Sequence, residues 1–321
     1  MAYSAGDTIL DDEYNNFVNK SSSPHGYNHF AGTGSGEYGL GQSAIATVSA
    51  GATINASNWN TFFTALDTIA NHTNDTMTSR SSVSAGDAIA IKAAVASDLA
   101  TLAASVAAGS PNATALSDDD QGTSTNSGTW TSSSTIERSV TFASADAMRH
   151  FFNAGGSIKC DPGTSGSTNG GKDIAFASMV AALGVLTIKA HATAQSGGDG
   201  GDSRASFDSG NGFHDLGTSY TSKIKYTSSD YTSNYNSSFI EISAKLNAAV
   251  GSATIMTIKL ASSDPVGDQT YTANNTDGKF TNESSVPAMS LNIVASEPTA
   301  AQGLSSAIQV SSNAQVSNSQ S

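Results

Sequence analysis

Apolar positions recur along this chain with two periods, and the change between them divides it. Up to about residue 115 the spacing is helical. Tyr14, Phe17 and Val18 share one face, with Asp11 or Asp12 placed to cap it. Trp59, Phe62, Phe63, Leu66, Ile69 and Ala70 make the clearest stripe, which Ser57 or Asn58 can cap. Val95, Leu99, Leu102 and Val106 step by four, three and four through an Ala-rich stretch that Gly109-Ser110-Pro111 closes. That seam suits packing within its own domain or a contact in a symmetric oligomer, and two heptads do not decide.

From Thr135 the period becomes two. Ile136, Arg138 and Val140 alternate in a predicted strand reaching Phe142. Ser144 then caps a short helix carrying Met148, Phe151 and Phe152, stopped at Gly155-Gly156 and followed by the strand Ser157-Ile158-Lys159-Cys160. A second short helix is expected from Lys172 to Leu183, ending at Gly184, before the alternation of Leu186, Ile188 and Ala190. Strands follow at Phe239–Leu246, through Thr254, Met256, Ile258 and Leu260, and through Met289, Leu291 and Ile293.

A turn-like motif punctuates the helical part. Tyr3-Ser4-Ala5-Gly6-Asp7-Thr8-Ile9 returns as Val48-Ser49-Ala50-Gly51-Ala52-Thr53-Ile54 and as Val83-Ser84-Ala85-Gly86-Asp87-Ala88-Ile89. Repetition of a turn is a way of building structural modules rather than catalytic centres. A Gly-rich loop from Pro24 to Gly41 separates the first two copies.

The fold class expected is α+β. A small helical repeat module (1–115), read as a docking module, is joined by a Ser/Thr/Gly-rich linker (116–134) to a mostly antiparallel β domain with two short helices (135–295). A Ser-, Ala- and Gln-rich tail (296–321) is expected to lack order in isolation and to gain it against a partner.

Charge narrows the partners. The chain of 321 residues carries a formal charge of -13, yet only 13% of its residues are charged. Its polarity comes from Ser, Thr, Asn and Gly. The acidic balance, without Lys/Arg clusters, argues against nucleic acid and against anionic membranes. The single cysteine, Cys160, cannot close an intramolecular disulfide. Met1–Asp7 lacks the basic and apolar regions of a signal peptide, and Ile174–Ile188 is too short and polar to span a bilayer. A soluble protein made in a cytoplasm is expected.

Chemical candidates are weak in context. Gly34-Ser35-Gly36-Glu37-Tyr38-Gly39 spells a dinucleotide fingerprint without a strand before it or a helix within it. Gly197-Gly198-Asp199-Gly200-Gly201-Asp202 matches one calcium-binding turn, but that chemistry needs stacked copies. Asp118-Asp119-Asp120 lacks the ligand spacing of a helical calcium loop and reads as a solvated charge run. His25 and His29 have the spacing of two ligands on a helix, in a Gly- and Pro-containing stretch where no helix is expected. His214-Asp215 lacks a nucleophile in a suitable context. Cys160 reads as a partly buried small hydrophobe. No catalytic, cofactor-binding or metal-ligating residue is therefore assigned, and no cofactor is expected.

The stretch Ala147-Met148-Arg149-His150-Phe151-Phe152-Asn153-Ala154-Gly155-Gly156 resembles a signature of virion structural proteins of tailed bacteriophages, those of marine cyanobacterial phages above all. Phe213-His214-Asp215-Leu216-Gly217-Thr218-Ser219-Tyr220 and the strand from Tyr235-Asn236 to Leu246 follow the same pattern. Ala5-Gly6-Asp7-Thr8-Ile9 with Tyr14-Asn15, and Ala50-Gly51-Ala52-Thr53-Ile54 with Trp59-Asn60, resemble the start of that class. The resemblance implies a non-enzymatic virion component of tail, neck or fibre, located in the virion, contacting other virion proteins as a symmetric homo-oligomer. Two alternatives stand beside it. One is a receptor-binding module for a host-surface glycan, with Tyr226, Tyr231 and Tyr235 as exposed aromatics. The other is a capsid decoration protein.

Overall fold

The computed structural model describes residues 11–22, 24–31, 42–73, 75–85, 92–108, 116–165, 171–198, 205–228, 237–265, 286–298 and 309–321. Among them are six α-helices and two antiparallel sheets, so the protein is α+β. Packing divides the chain into two compact units that do not follow chain order. One comprises Met1–Ser117, Ala143–Gly156 and Glu297–Gln309; the other Asp118–Phe142, Ser157–Ser296 and Val310–Ser321.

The helical unit holds α1 (Asp11–Asn19), α2 (Tyr27–Ala31), α3 (Ala56–Thr73), α4 (Lys92–Ala108) and α5 (Ala145–Asn153). The predicted stripes close on one core: Tyr14, Val18, Phe62, Leu66, Ile69, Val95 and Leu102 are fully buried together. Val95, Leu99 and Leu102 thus face their own unit, and that part of the heptad seam is used up in the core. Val106 has its side chain outside the described residues. α5 starts as expected, with the Ser144 hydroxyl accepting the Ala147 N–H at 3.0 Å. It ends where Gly155 takes a φ of 88°, a conformation open to glycine. Phe151 and Phe152 are both buried and meet edge to face at 5.1 Å.

α2 corrects the reading of the Pro24–Gly41 loop. Gly26 lies so close to α1 that an added Cβ would come within 2.7 Å of Lys20 N. Its N–H donates to Lys20 O at 2.9 Å, and its carbonyl then accepts His29 N–H at 3.1 Å, opening a single helical turn. Burial of Tyr27, Phe30 and Ala31 holds that turn, and tertiary packing overrides the local Gly and Pro signals.

The second unit carries two sheets. One runs β1 (Leu116–Thr125), β10 (Ala288–Pro298), β3 (Ser157–Ser165), β4 (Val185–Ile188), β5 (Thr193–Ser196). The other runs β11 (Val310–Gln320), β2 (Ser133–Phe142), β9 (Ile255–Ser263), β8 (Phe239–Leu246), β7 (Thr221–Thr227), β6 (Ala205–Phe207). Alternation places Ile240, Ile242, Leu246, Met256, Ile258, Leu260, Leu291 and Ile293 in the interior, as the period of two predicts. α6 (Gly171–Leu183) packs on β3 of the first sheet and on β7 and β8 of the second. At its end Gly184 has a φ of 59°, and a Cβ there would meet Ser196 O at 2.5 Å.

Two stretches differ from the sequence reading. The expected linker contains β1 and, after it, Trp130, which is 2% exposed. Trp130 meets the Phe176 ring edge to face at 5.1 Å and donates from its indole N–H to Pro287 O at 3.0 Å. The expected tail contains β11, paired antiparallel with β2. Both strands are hydrophilic and lie at sheet edges, so they are held by ladders and side-chain hydrogen bonds. Arg138 of β2 ties them: it donates to Ser124 Oγ at 2.6 Å, Gln121 O at 2.5 Å and Asn313 Oδ1 at 3.0 Å. No apolar alternation announces such strands.

Candidate functional site

The second and third copies of the repeated motif each begin with a β-branched residue whose backbone is gripped by an asparagine. The Asn15 amide donates to Val48 O at 2.8 Å and its Oδ1 accepts Val48 N–H at 2.9 Å. Asn60 repeats this on Val83, at 3.0 Å and 2.9 Å. Asn28 does so on Ile45, at 2.9 Å and 2.8 Å. A primary amide carries one donor and one acceptor side, matching the N–H and C=O of one extended residue. Each asparagine therefore offers from a helix the pairing that a neighbouring strand would offer.

The local sequence explains the placement. Each asparagine follows a buried aromatic: Tyr14-Asn15, Tyr27-Asn28 and Trp59-Asn60. Successive helical residues are rotated by about 100°, so a ring pointing into the core leaves the next side chain at its rim. The rings lock together beneath. Tyr14 meets Trp59 edge to face at 5.5 Å, and Tyr27 meets Phe62 at 6.3 Å. The clamped Ile45, Val48 and Val83 lay their side chains partly buried against the same core. Tyr27 also donates its hydroxyl to Ser43 O at 3.2 Å, and burial pushes that phenol up to about 12.

The spacing is part of the repeat. Asn60 follows Val48 by twelve residues, as Asn15 follows Tyr3, and the same offset from Val83 falls on Val95. Val95 is fully buried and has no amide to offer. α4 holds its neighbouring segment differently: buried Asp98 accepts Thr78 N–H at 3.2 Å and Thr78 Oγ1 at 2.9 Å, and pairs with Arg80. The Arg80 guanidinium in turn sits 5.2 Å from the centre of the Phe63 ring. Beside the clamps, an open cleft of about 740 Å³ is lined by Tyr14, Tyr27, Ile45, Asn58, Thr61 and Thr64.

The sequence candidates for chemistry are placed as follows. Gly34–Gly39 and Asp199–Asp202 lie outside the described residues, as do Tyr231 and Tyr235. Tyr226, expected as an exposed aromatic, is 4% exposed on β7; alternation turns it inward, and it presents no ring to a glycan. The Asp118–Asp120 run is engaged in the fold. Asp118 accepts from Lys159 Nζ at 2.7 Å and from Ser296 Oγ, Asp119 from Gln121 Nε2 at 2.6 Å, and Asp120 from Gly122 N–H at 2.8 Å. The hydrogen bond from Lys159, then that from Ser296, holds the Asp118 carboxyl below its ordinary value.

His25 and His29 stack face to face at 3.7 Å. Burial, then the neighbouring His25, lowers the His29 pKa. His214 stacks on His191 at 4.7 Å, while Asp215 accepts the Gly212 N–H at 2.8 Å and caps a turn. Cys160 is fully buried, and its thiol is pushed up to about 12 by burial and by Asp161, which makes it inert at neutral pH. Among the described residues no three His, Cys, Asp or Glu side chains gather as metal ligands, and no helix is long and apolar enough to cross a membrane.

The asparagine clamps escaped the sequence reading because Asn on a helix reads as a surface residue. The signal available was the thrice-repeated aromatic–asparagine pair, each followed downstream by a β-branched residue. No family model, no curated protein and no solved structure matches this chain.

Proposed function

We propose that this protein is a non-enzymatic structural component of a tailed-phage particle, carried on the tail, neck or a fibre and present as a symmetric homo-oligomer. The observation carrying this reading is the set of three asparagine clamps. They spend side-chain amides on fastening extended backbone to helices within the chain, a structural rather than a chemical use of polar groups. The engaged state of the candidate chemical residues supports it: Asp118–Asp120 and Asp215 sit in hydrogen bonds of the fold, and Cys160 is buried. So does the resemblance carried by Ala147–Gly156 and the repeated Ala-Gly motifs. The helical unit serves as the docking module, and the acidic balance of the chain, a net charge of -13, disfavours electrostatic attraction to nucleic acid or anionic lipid.

Immunogold electron microscopy of intact particles, with serum raised against residues 135–295, tests the reading. Label on tail or neck is expected. Label spread over the head makes the protein a decoration protein, and absence of label on disrupted as well as intact particles contradicts the proposal.

A further inference from the structure

β7 breaks its alternation at Lys223. Its pairing with β8 runs from Ser222 opposite Ser243 to Ile224 opposite Ile242, so Lys223 is the extra residue of a bulge. Bulges re-aim side chains, and this one turns a lysine inward. Among the described residues Lys223 is the lysine with no exposed surface, whereas Lys225 stays partly exposed against the Phe239 ring. An ammonium buried this completely needs partners.

The partners come from one loop, residues 208–212. Lys223 Nζ donates to Asp208 Oδ2 at 3.3 Å and to Asn211 O at 3.1 Å. The other oxygen of the same carboxylate, Asp208 Oδ1, accepts from Asn211 Nδ2 at 2.9 Å. One carboxylate thus bridges an amine and a side-chain amide: a nucleophile and an electrophile, joined by a group that can carry protons between them.

The loop is fixed around this bridge. Asp208 N–H donates to Lys223 O at 2.9 Å, Thr193 N–H to Ser209 O at 3.2 Å and Thr193 Oγ1 to Asn211 O at 2.7 Å. Gly212 closes it so tightly that an added Cβ would lie 2.5 Å from Ala192 N and from Lys189 O. Reacting groups held together in this way behave as if highly concentrated.

We propose that Lys223 and Asn211 join in a side-chain amide cross-link, a bond the chain makes once on itself with Asp208 carrying the protons. Asp208 Oδ2 takes a proton from the Lys223 ammonium, which leaves no charge on a lysine shut away from water. The freed lone pair of Nζ attacks Cγ of Asn211. Asp208 passes its proton to Asn211 Nδ2 and takes a second one from Nζ. The Cγ–Nδ2 bond breaks, and Nδ2 leaves as ammonia. The products are an amide between Nζ and Cγ, one ammonia and a protonated Asp208, so the charge is zero before and after. No other reactant is needed. The bond fastens β7 to the loop that follows β6, an edge strand of three residues with little ladder of its own.

Intact mass of the full chain, followed by chymotryptic digestion after unfolding, tests the proposal. The wild type is expected to be lighter than its sequence by one ammonia. Chymotrypsin cuts after Phe213 and Tyr220, between the two residues, so a branched peptide joining Asn211 to Lys223 is expected in the digest. Asn211→Ala leaves the Lys223–Asp208 ion pair in place and is expected to show the full sequence mass with an unchanged circular dichroism spectrum. Lys223→Met and Asp208→Ala are expected to show the full mass as well. A wild type at its full sequence mass overturns the inference. So does an ammonia loss that persists in Lys223→Met, which marks ring closure of Asn211 on Gly212 instead. A branched peptide that still forms in Asp208→Ala overturns the proton-carrying role of that carboxylate.

Discussion

Asn15 and Val48, 33 residues apart, are joined by a reciprocal pair of hydrogen bonds at 2.8 Å and 2.9 Å. The amide of one helix thereby closes the loop that leads to the next copy of the repeat. Asn60 does the same for Val83 across 23 residues. The repeat is thus buckled twice, with α1 and α3 each fastening the opening residue of the copy after it.

Replacing Asn15 or Asn60 by Ala leaves a partly buried N–H and C=O without their partners. Each variant is expected to lose about 1–3 kcal/mol from the helical unit. Urea unfolding followed by Trp59 fluorescence, in a Trp130→Phe background, measures it. A loss within a few tenths of a kcal/mol shows that the buckles do not carry the unit.

Asp98 and Arg80 form an ion pair whose side chains are only 7% and 4% exposed. Asp98→Ala leaves the buried Arg80 guanidinium with Asp67 as its remaining anionic neighbour and is expected to cost about 3 kcal/mol. Arg80→Met with Asp98→Leu recovers the part of that loss due to the unpaired charge but not the Thr78 hydrogen bonds. Denaturant midpoints of the single and double variants decide. A double variant as unstable as the single one shows that the loss comes from the Thr78 hydrogen bonds rather than from the unpaired charge.

Tyr27 sets an alkaline limit. Its hydroxyl, ordinarily at 10.0, titrates in the folded protein at about 12. A folded pKa above the unfolded one gives stability that is complete below pH 10 and lost as pH rises from 10 to 12, by about 2–3 kcal/mol. Tyr27→Phe removes this titration and the bond to Ser43. It is expected to be less stable than wild type at pH 8, with the gap closing between pH 10 and 12. A gap that stays constant with pH places the loss in other groups.

Cys160 lies in β3 between β10 and β4, opposite Ile293 and Leu186. Its buried thiol is expected to resist alkylation by iodoacetamide at pH 8 and to react fully in urea. Quantitative modification of the folded chain, read by intact mass, contradicts that burial.

The elements legible in the sequence are those that bury apolar faces. The stripe from Trp59 to Ala70 gives α3, and Phe239–Leu246 is a strand over the bounds read from its alternation. Ser144 and Gly155 mark the ends of α5 because caps are local chemistry. β1 and β11 were hidden because Asp118–Asp120 and the Ser/Asn/Gln run of 310–320 bury almost nothing apolar. Their order comes from Arg138, Gln121 and Asn313, residues far apart in the chain. α2 was hidden because its single turn depends on the fit of Gly26 against α1. The clamps were hidden because an amide's partner on distant backbone has no local signature.

The central claim is that the protein is built into a particle. Lysate from infected host cells, separated on a caesium chloride density gradient and probed with serum to residues 135–295, tests it directly. The account predicts the chain in the band of DNA-filled particles, retained after a salt wash. A chain found only in the soluble fraction at the top, with none in that band, contradicts it.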